Sequence, residues 1–336
     1  MRIQSIVHKH DAEQRADRYI RKLCPDIPLS RIYSLFRKKE IKINGKAISK
    51  SCVVAAGNLL EIYGLNQGEI IAEQDKSDTN PDSTLIPGEN KKTVPLQVPF
   101  ELNILFENEH LLVIDKSGFM AVHPGTGIKK GASVIEKVRR YLDNVEGDRG
   151  ESLFKPSPLH RLDKTTSGVL LIAKSGRALR FYSEEWKEKR IHKKYLALVS
   201  GKIHTKEGTI VGKLTRINTK GGGEKTKIDN QVGKNSITRY RVYKPLQKFT
   251  LLEIFPETGR LHQIRAHLLS AGLKIAGDTR YGDRIINHQL KQKTGLCRSF
   301  LHASEIKGRD FNGKNWSFTS ALPEDLNNCL KEIMPV

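Results

Sequence analysis

Apolar residues in the N-terminal part of the chain follow helical spacing twice and strand spacing once. Between residues 16 and 23 they recur at intervals of three and four, which predicts an α-helix. Asp11 and Gln14 have the spacing of a capping box ahead of it, and Ser30 is placed to cap a second helix. Apolar and polar residues then alternate around Asn-Gly at 44–45, a dipeptide typical of two-residue turns. The pattern predicts two short helices followed by a β-hairpin.

Residues 65–100 show no such periodicity. The stretch is rich in Pro, Asn, Asp, Ser and Thr, which is typical of linkers rather than packed elements. Its charge also differs, because residues 1–64 carry 13 basic and 6 acidic side chains whereas residues 65–100 carry 3 and 6. We therefore predict a flexible linker at 65–100 between an N-terminal domain at 1–64 and a second domain at 101–336.

Strand-like runs dominate the chain beyond residue 100. Two short apolar runs surround a polar turn between residues 101 and 116, and helical spacing predicts helices near Ala132–Leu142, Ala178–Lys189 and residues 260–272. Four further strands are predicted at Val169–Lys174, Lys194–Val199, Thr238–Tyr243 and Thr250–Phe255. Since strands and helices do not alternate strictly, the expected fold class is α+β, with a mainly antiparallel mixed β-sheet flanked by helices.

The composition narrows the class of partner. The chain has 58 Lys and Arg against 37 Asp and Glu, and the net charge of +21 favours a polyanion such as nucleic acid. No apolar run reaches the length of a membrane span and the N-terminus lacks the features of a signal peptide, so we expect a soluble cytoplasmic protein. The four cysteines are far apart, as expected of reduced thiols, and no metal-binding or dinucleotide-binding motif is present.

One carboxylate stands out in the stretch HRLDKTTSGVLLIAKS, residues 160–175. Asp163 lies among Arg161, Lys164 and Lys174, just before a strand-forming run. Nearby positive charge favours the ionised form of an acid, which suits a nucleophile or a base and does not suit a proton donor. Taken alone, the stretch also fits a surface aspartate that pairs with a neighbouring arginine.

Three other segments give this stretch a context. They are FENEHLLVIDKSGFMAVHPG (106–125), KKYLALVSG (193–201) and PETGRLHQIRAHLLSAGLKIAGDTRYGD (256–283). Together with HRLDKTTSG, and in this order, they resemble the RluA family of pseudouridine synthases over residues 104–303. The segment from Ile275 resembles the RluC branch, whose members modify uridines of large-subunit (23S) ribosomal RNA. The N-terminal helices and hairpin resemble the alpha-L RNA-binding module.

The resemblance implies roles for individual residues. Asp163 matches the family's essential aspartate, and Arg265 matches the arginine that pairs with it. Tyr195 matches the tyrosine that packs against the target base and is implicated in removing its C5 proton. Arg161 matches an arginine implicated in RNA binding and base flipping, and His160 shapes the same loop. The alpha-L resemblance adds RNA-binding residues on the second helix, which are Arg31, Arg37, Lys38 and Lys39. The family uses no metal or cofactor.

The chemistry of the isomerisation agrees with these assignments. The reaction breaks the bond from C1′ to N1 of uridine, turns the base and joins C1′ to C5. A carboxylate can attack C1′ or remove a proton from C2′, and in either case it must be ionised. A buried guanidinium that pairs with it bidentately would keep it so, and a flipped uracil needs a wall such as Tyr195.

Each assignment has a plainer alternative. Tyr195 also fits ordinary packing and Arg265 a surface phosphate clamp. Neither His262 nor His267 is given a catalytic role. Two positions depart from the family's pattern, because Ser117 stands where a proline is usual and Leu261 where Thr or Ser is common. These departures bear on substrate preference rather than on activity.

Other functions compete with this interpretation. The chain could modify transfer RNA, or be a non-catalytic RNA-binding protein of ribosome assembly, although such a protein has little need of Asp163 and Arg265 together. A glycosidase-like hydrolase would need two acids at a defined separation. We therefore expect an RNA pseudouridine synthase, a monomer without metal or cofactor, whose partner is 23S ribosomal RNA.

Overall fold

The chain divides into two compact units. The computed structural model describes residues 2–65, 102–125, 127–146, 152–200, 203, 205–218, 224–229 and 231–334. One unit comprises Met1–Glu101, Tyr141–Lys155 and Ser175–Arg177, and the other comprises Leu102–Arg140, Pro156–Lys174 and Ala178–Val336. Apart from Leu65, the predicted linker lies outside the described residues, so the domain boundaries at 64 and 100 stay predictions. Among the described residues, no helix is long and apolar enough to cross a membrane.

The first unit contains the predicted helices and hairpin. Its elements are β1 (Ile3–Ile6), a 3-10 turn (Lys9–Asp11), β2 (Gln14–Arg15), α1 (Ala16–Leu23), α2 (Leu29–Arg37), β3 (Ile41–Ile43), β4 (Lys46–Ala47), β5 (Val53–Val54) and β6 (Leu59–Ile62). Strands β1, β6, β3 and β4 form an antiparallel sheet in that order, and β2 pairs with β5. Ile20 and Leu35 from the helices pack with Ile41 and Leu60 from the sheet in one buried cluster. The apolar spacing of the helices therefore produces the core of this unit.

The predicted helix caps are wrong. The Asp11 carboxylate accepts hydrogen bonds from the Ser152 hydroxyl at 2.9 Å and the Leu153 N–H at 2.8 Å, while the Gln14 amide donates to the Asp11 carbonyl oxygen. Helix α1 begins after Arg15 and α2 begins before Ser30, both without a side-chain cap. A segment more than a hundred residues away in the sequence thus uses the acid that local spacing assigned to the helix.

The second unit is built on one large sheet. Its strands are β7 (Ile104–Glu107), β8 (Leu111–Lys116), β9 (Ser157–Pro158), β10 (Ser167–Ala173), β11 (His192–Ser200), β12 (Glu207–Asn218), β13 (Glu224–Ile228), β14 (Lys234–Pro245), β15 (Phe249–Pro256), β16 (Lys274–Ile275), β17 (Leu301–Arg309) and β18 (Asn315–Thr319). The remaining helices are α3 (Val134–Glu146), α4 (Gly176–Lys187), α5 (Gln263–Ser270), α6 (Arg284–Thr294) and α7 (Glu324–Ile333). Every helix and strand predicted beyond residue 100 is present.

The sheet is mixed and mainly antiparallel, so the predicted α+β class is confirmed. Its order within the described residues is β13-β12-β14-β15-β11-β17-β10-β8-β7, with β16, β18 and β9 paired at its sides. The described pairs are antiparallel except for β10 with β17, where Gly168 lies opposite Ala303. Gly168 has a φ of +111°, and a Cβ there would overlap the carbonyl group of Ala303. Only glycine allows the two strands to approach this closely at the start of β10.

Candidate active site

Asp163 lies in the turn that precedes β10. The Thr166 N–H donates to the Asp163 carbonyl oxygen at 3.0 Å and closes this turn. Every residue of β10 is buried, so the strand fixes the position of the turn at its N-terminal end. The Asp163 side chain nevertheless keeps 20% of its surface exposed, which leaves the carboxylate open to a ligand.

Helix α5 brings Arg265 to Asp163, as predicted. Arg265 Nη1 donates to Asp163 Oδ2 at 2.8 Å. The predicted bidentate geometry is wrong for this pair, because Arg265 uses Nε and Nη2 to bind Asp278, at 2.6 and 2.9 Å. One guanidinium therefore joins two carboxylates, with a two-point contact to Asp278 and a single contact to Asp163.

Asp278 is the anchor of this arrangement. Its side chain has no exposed surface, and its Oδ1 also accepts the backbone N–H groups of Arg280 and Tyr281. Burial favours the neutral form of Asp278, but hydrogen bonding to Arg265 and the charge of Arg265 outweigh it and lower the pKa of this carboxyl. Burial likewise opposes the charge on Arg265, and its two carboxylate partners outweigh that effect and raise its pKa. Both members of the pair are therefore charged at neutral pH.

The charge of Asp163 affects the pKa of Tyr195. It lies in β11, opposite Ile254 of β15 and Ala303 of β17, with a β-bulge between Lys194 and Tyr195. Burial, and then the Asp163 charge, raise the pKa of the Tyr195 phenol. The phenol is therefore neutral at neutral pH, and a neutral aromatic ring beside an accessible carboxylate suits a base held against the ring.

Two buried basic side chains, Lys116 and Arg298, contact the main chain of the turn that carries Asp163. Lys116 Nζ donates to the carbonyl oxygens of Ser117 at 2.8 Å and Met120 at 2.9 Å, and reaches that of Lys164 at 3.5 Å. Burial, with the charge of Arg298, lowers the pKa of Lys116 to about 7 against the opposing effect of Asp163 and Asp115.

Arg298 completes the support from the C-terminal end of the chain. Its Nη1 donates to the Thr165 carbonyl oxygen at 3.0 Å, while Nε and Nη2 bind Asp325 of α7 at 2.6 and 2.9 Å. The Thr165 and Ser299 hydroxyls are 2.9 Å apart. The turn that carries Asp163 is thus fixed by main-chain contacts on both sides.

The two residues before Leu162 differ in their surroundings. The His160 ring stacks on Trp186 of α4 with centroids 5.0 Å apart, and its Nε2 accepts the Leu171 N–H at 3.2 Å. Burial, with the charge of Lys193, lowers the pKa of His160 to about 3, so the ring is neutral. Arg161 is exposed beside Asp163. Of the two, only Arg161 presents its charge to solvent, and the RNA-binding role of both stays a prediction.

Three of the four predicted RNA-binding residues of the first unit lie at the end of α2, and Arg31 lies near its start. Arg37 is the last helical residue, and Lys38 and Lys39 follow it rather than lying on the helix face as predicted. All three are exposed, whereas Arg31 donates to the Gly64 carbonyl oxygen. Their contact with RNA stays a prediction.

Several residues of the site were missed by sequence reasoning. Asp278, Arg298 and Asp325 carry no periodic signal, although an aspartate directly after the apolar run IAG is a hint of a buried ion pair. The sequence indicates Lys116 only as one residue of the segment 106–125. Within the described ranges, His, Cys, Asp and Glu side chains form no group of three that could hold a metal ion.

Comparison with known sequences gives consistent matches. The family model described as RNA pseudouridylate synthase matches residues 110–270. Ribosomal large subunit pseudouridine synthase C of Escherichia coli (strain K12) is 36% identical over 325 residues, which cover 96% of this chain and 94% of the relative. The protein of the same name from Salmonella typhimurium (strain LT2) is 36% identical over 327 residues, covering 97% and 93%.

Comparison with solved structures identifies the same fold. The structure of human RNA Pseudouridylate Synthase Domain Containing 4 matches with a TM-score of 0.56 and 21% identity, over 69% of this chain and 92% of that one. The structure of human RNA Pseudouridylate Synthase Domain Containing 1 matches with a TM-score of 0.54 and 24% identity, over 73% and 90%.

Proposed function

The chain is a member of the RluA family of RNA pseudouridylate synthases, and on that premise we propose that it isomerises uridine in large-subunit ribosomal RNA, with Asp163 as the reacting carboxylate. The observation that carries this proposal is the contact of Asp163 with Arg265, whose charge is itself fixed by the buried Asp278. The names of the two bacterial relatives supply the substrate class.

The geometry supports a division of roles. Asp163 attacks C1′ of the target uridine or removes its C2′ proton, while Arg265 orients the carboxylate through a charge-assisted hydrogen bond. The C1′–N1 bond breaks with its electron pair on the base, and the base turns. C1′ then bonds to C5 as its bond to Asp163 breaks or, on the other route, as a proton returns to C2′. The C5 proton leaves to solvent and N1 takes up a proton. Tyr195 forms the wall against which the flipped base lies, and its neutral phenol avoids a second negative charge beside Asp163.

A hydrolase acting on sugars fits this site poorly. Such an enzyme needs two reachable carboxyl groups on either side of the scissile bond. The carboxylate that shares Arg265 with Asp163 is Asp278, whose side chain has no exposed surface and whose oxygens are already occupied. It cannot serve as a second catalytic acid.

The basic residues supply the affinity for RNA in this proposal. Arg37, Lys38 and Lys39 at the end of α2, with Arg161 beside Asp163, bind phosphates. Action in the cytoplasm, as a monomer and without metal or cofactor, stays a prediction.

The reaction is tested by tritium release. Two substrates carry tritium at C5 of uridine. One is large-subunit ribosomal RNA from cells that lack the protein, and the other is transfer RNA. We expect tritium in water from the ribosomal RNA alone, with no free uracil. Release from transfer RNA alone would show that the substrate is transfer RNA and not ribosomal RNA. Free uracil would indicate a hydrolase. Tight binding of RNA without tritium release would indicate a non-catalytic binding protein.

The role of the α2 end is tested by the salt dependence of binding. Replacing Arg37, Lys38 and Lys39 by Gln is expected to flatten the slope of log affinity against log salt by up to about 2, since each contact to single-stranded RNA contributes about 0.7. Lys331→Gln, an exposed change in α7, serves as the control. An unchanged slope in the triple variant would exclude this part of the proposal.

A further inference from the structure

His262 has an unusual backbone conformation beside the reacting carboxylate. It precedes α5 with a φ of +51°, in the left-handed region, and its side chain makes no capping hydrogen bond to the helix. Left-handed residues other than glycine persist where the surroundings hold them, and they cluster at functional sites. The His262 side chain does not cap the helix, so other residues must hold its ring in place.

Tyr281 orients the His262 ring. The Thr226 N–H donates to the Tyr281 hydroxyl oxygen at 2.7 Å, so the hydroxyl hydrogen is free to point to His262 Nδ1, 3.1 Å away. Burial raises the pKa of Tyr281, which therefore keeps this hydrogen. With Nδ1 accepting, a neutral imidazole carries its own hydrogen on Nε2.

The imidazole is neutral at neutral pH. Burial lowers the pKa of His262, and the charges of Arg265 and Arg280 add to this against the opposing charges of Asp163 and Asp278. The Tyr281 ring is itself fixed, because it packs with Ala266 and Leu214 and lies 4.8 Å from the Arg265 guanidinium carbon.

The Nε2–H group faces the reaction centre. Nε2 lies 3.9 Å from Asp163 Oδ2, which is beyond hydrogen-bonding distance, and it makes no hydrogen bond to any described residue. The side chain is 10% exposed, so the donor is accessible without being freely solvated. A donor held in place beside a catalytic carboxylate, with no acceptor of its own, fits an acceptor that arrives with the substrate.

We propose that His262 is a further catalytic residue, whose Nε2–H donates a hydrogen bond to a carbonyl oxygen of the uracil as the base leaves C1′. When the C1′–N1 bond breaks, its electron pair stays with the base and spreads over N1 and the neighbouring carbonyl oxygens. The donor stabilises this charge without transferring its proton, and its orientation is set before the reaction. The proposal rests on the proposed function.

Two substitutions at one position test the proposal. Asparagine adopts the left-handed conformation readily, so His262→Asn keeps the backbone, but its amide is too short to replace Nε2–H. His262→Gln places an amide nitrogen close to the position of Nε2. In single-turnover tritium release we expect His262→Asn to slow the chemical step about 10²-fold, as when one donor to a developing anion is removed. His262→Gln should recover part of the rate, and both variants should keep wild-type RNA affinity.

The controls separate this proposal from the proposed function. His288→Gln, a change at an exposed histidine of α6, should leave the rate unchanged. Asp163→Asn, assayed in parallel, must be inactive for the proposed function to stand. If Asp163→Asn is inactive and His262→Asn retains the wild-type rate, only the present inference fails. Equal losses in His262→Asn and His262→Gln would also overturn it, since a purely structural role predicts no rescue.

The orienting role of Tyr281 has a readout besides rate. In nitrogen NMR spectra of the full-length protein, His262 should carry its proton on Nε2, and Tyr281→Phe should shift it toward a mixture of tautomers. An unchanged tautomer in Tyr281→Phe, or a proton on Nδ1 in the wild type, would contradict the geometry on which the proposal depends.

Discussion

The two carboxylates on either side of Arg265 have opposite surroundings. Asp278 is wholly buried and takes the planar fork of the guanidinium through both of its oxygens. The Asp163 side chain is 20% exposed and, from the residues that the structure describes, receives a single hydrogen bond, from Arg265 Nη1 to Oδ2. The same cation therefore anchors one acid and leaves the other with oxygen lone pairs that are free to react.

This difference explains how an active site can combine rigidity with reactivity. Asp278 has no exposed surface and accepts two further hydrogen bonds from the Arg280 and Tyr281 N–H groups, so it cannot also attack a sugar. Asp278 takes up that role and fixes Arg265, so Arg265 can position Asp163 with one bond. The comparison predicts that the buried acid determines stability and the exposed acid determines chemistry.

The largest effect on stability is expected from Asp278→Asn. Removal of the Asp278 charge leaves the buried Arg265 guanidinium with the partly exposed Asp163 and with Nε and Nη2 poorly compensated, which should lower the free energy of unfolding by about 3 kcal/mol or more. Asp163→Asn should cost about 1 kcal/mol or less, because the site is partly solvated and the amide oxygen can still accept from Arg265. Urea unfolding of both variants measures this difference. Equal losses would remove the distinction between the two acids.

A smaller effect on stability, with a clear loss of rate, is expected from Arg265→Lys. An ammonium keeps the charge but has no planar fork, so it cannot bind Asp278 at two points and still reach Asp163. Displacement of the carboxylate should slow single-turnover tritium release by about 10²-fold. A rate close to that of the wild type would show that one point charge is sufficient, contrary to the geometry.

A third effect depends on pH and concerns Lys116, which contacts the turn that carries Asp163. Its pKa is lowered from 10.5 to about 7, so between these values the unfolded chain binds a proton that the folded chain has released. Stability should therefore rise with pH across this window in the wild type relative to Lys116→Met, by at most about 1.4 kcal/mol per pH unit. Urea midpoints at several pH values measure it. Parallel pH profiles of stability for the wild type and Lys116→Met would contradict the lowered pKa of Lys116.

Much of the fold could be predicted from the sequence, because it depends on local periodicity. The strand at Ser167–Ala173 and the helix at Gln263–Ser270 follow from runs of apolar residues, and the predicted contact of Asp163 with Arg265 is present in the structure. Helix α6 was missed although its signals are present, since Asp283 caps its start and Gly295 ends it in the left-handed conformation.

What could not be predicted depends on contacts between distant segments. The aspartate after the apolar run IAG hints at a buried ion pair, but the sequence does not indicate that Asp278 takes the fork of Arg265 instead of Asp163. The sequence likewise does not indicate that the His160 ring stacks on Trp186 and accepts the Leu171 N–H. Buried ion pairs and stacked rings have no spacing rule, so only the folded chain reveals them.

The most direct test of the account is single-turnover tritium release by Asp163→Asn, with RNA affinity and urea unfolding measured on the same preparation. We expect release at the background level, with a loss on the order of 10⁴-fold or more, while RNA affinity and stability stay close to those of the wild type. Release at more than about a tenth of the wild-type rate would contradict the claim that Asp163 is the reacting carboxylate.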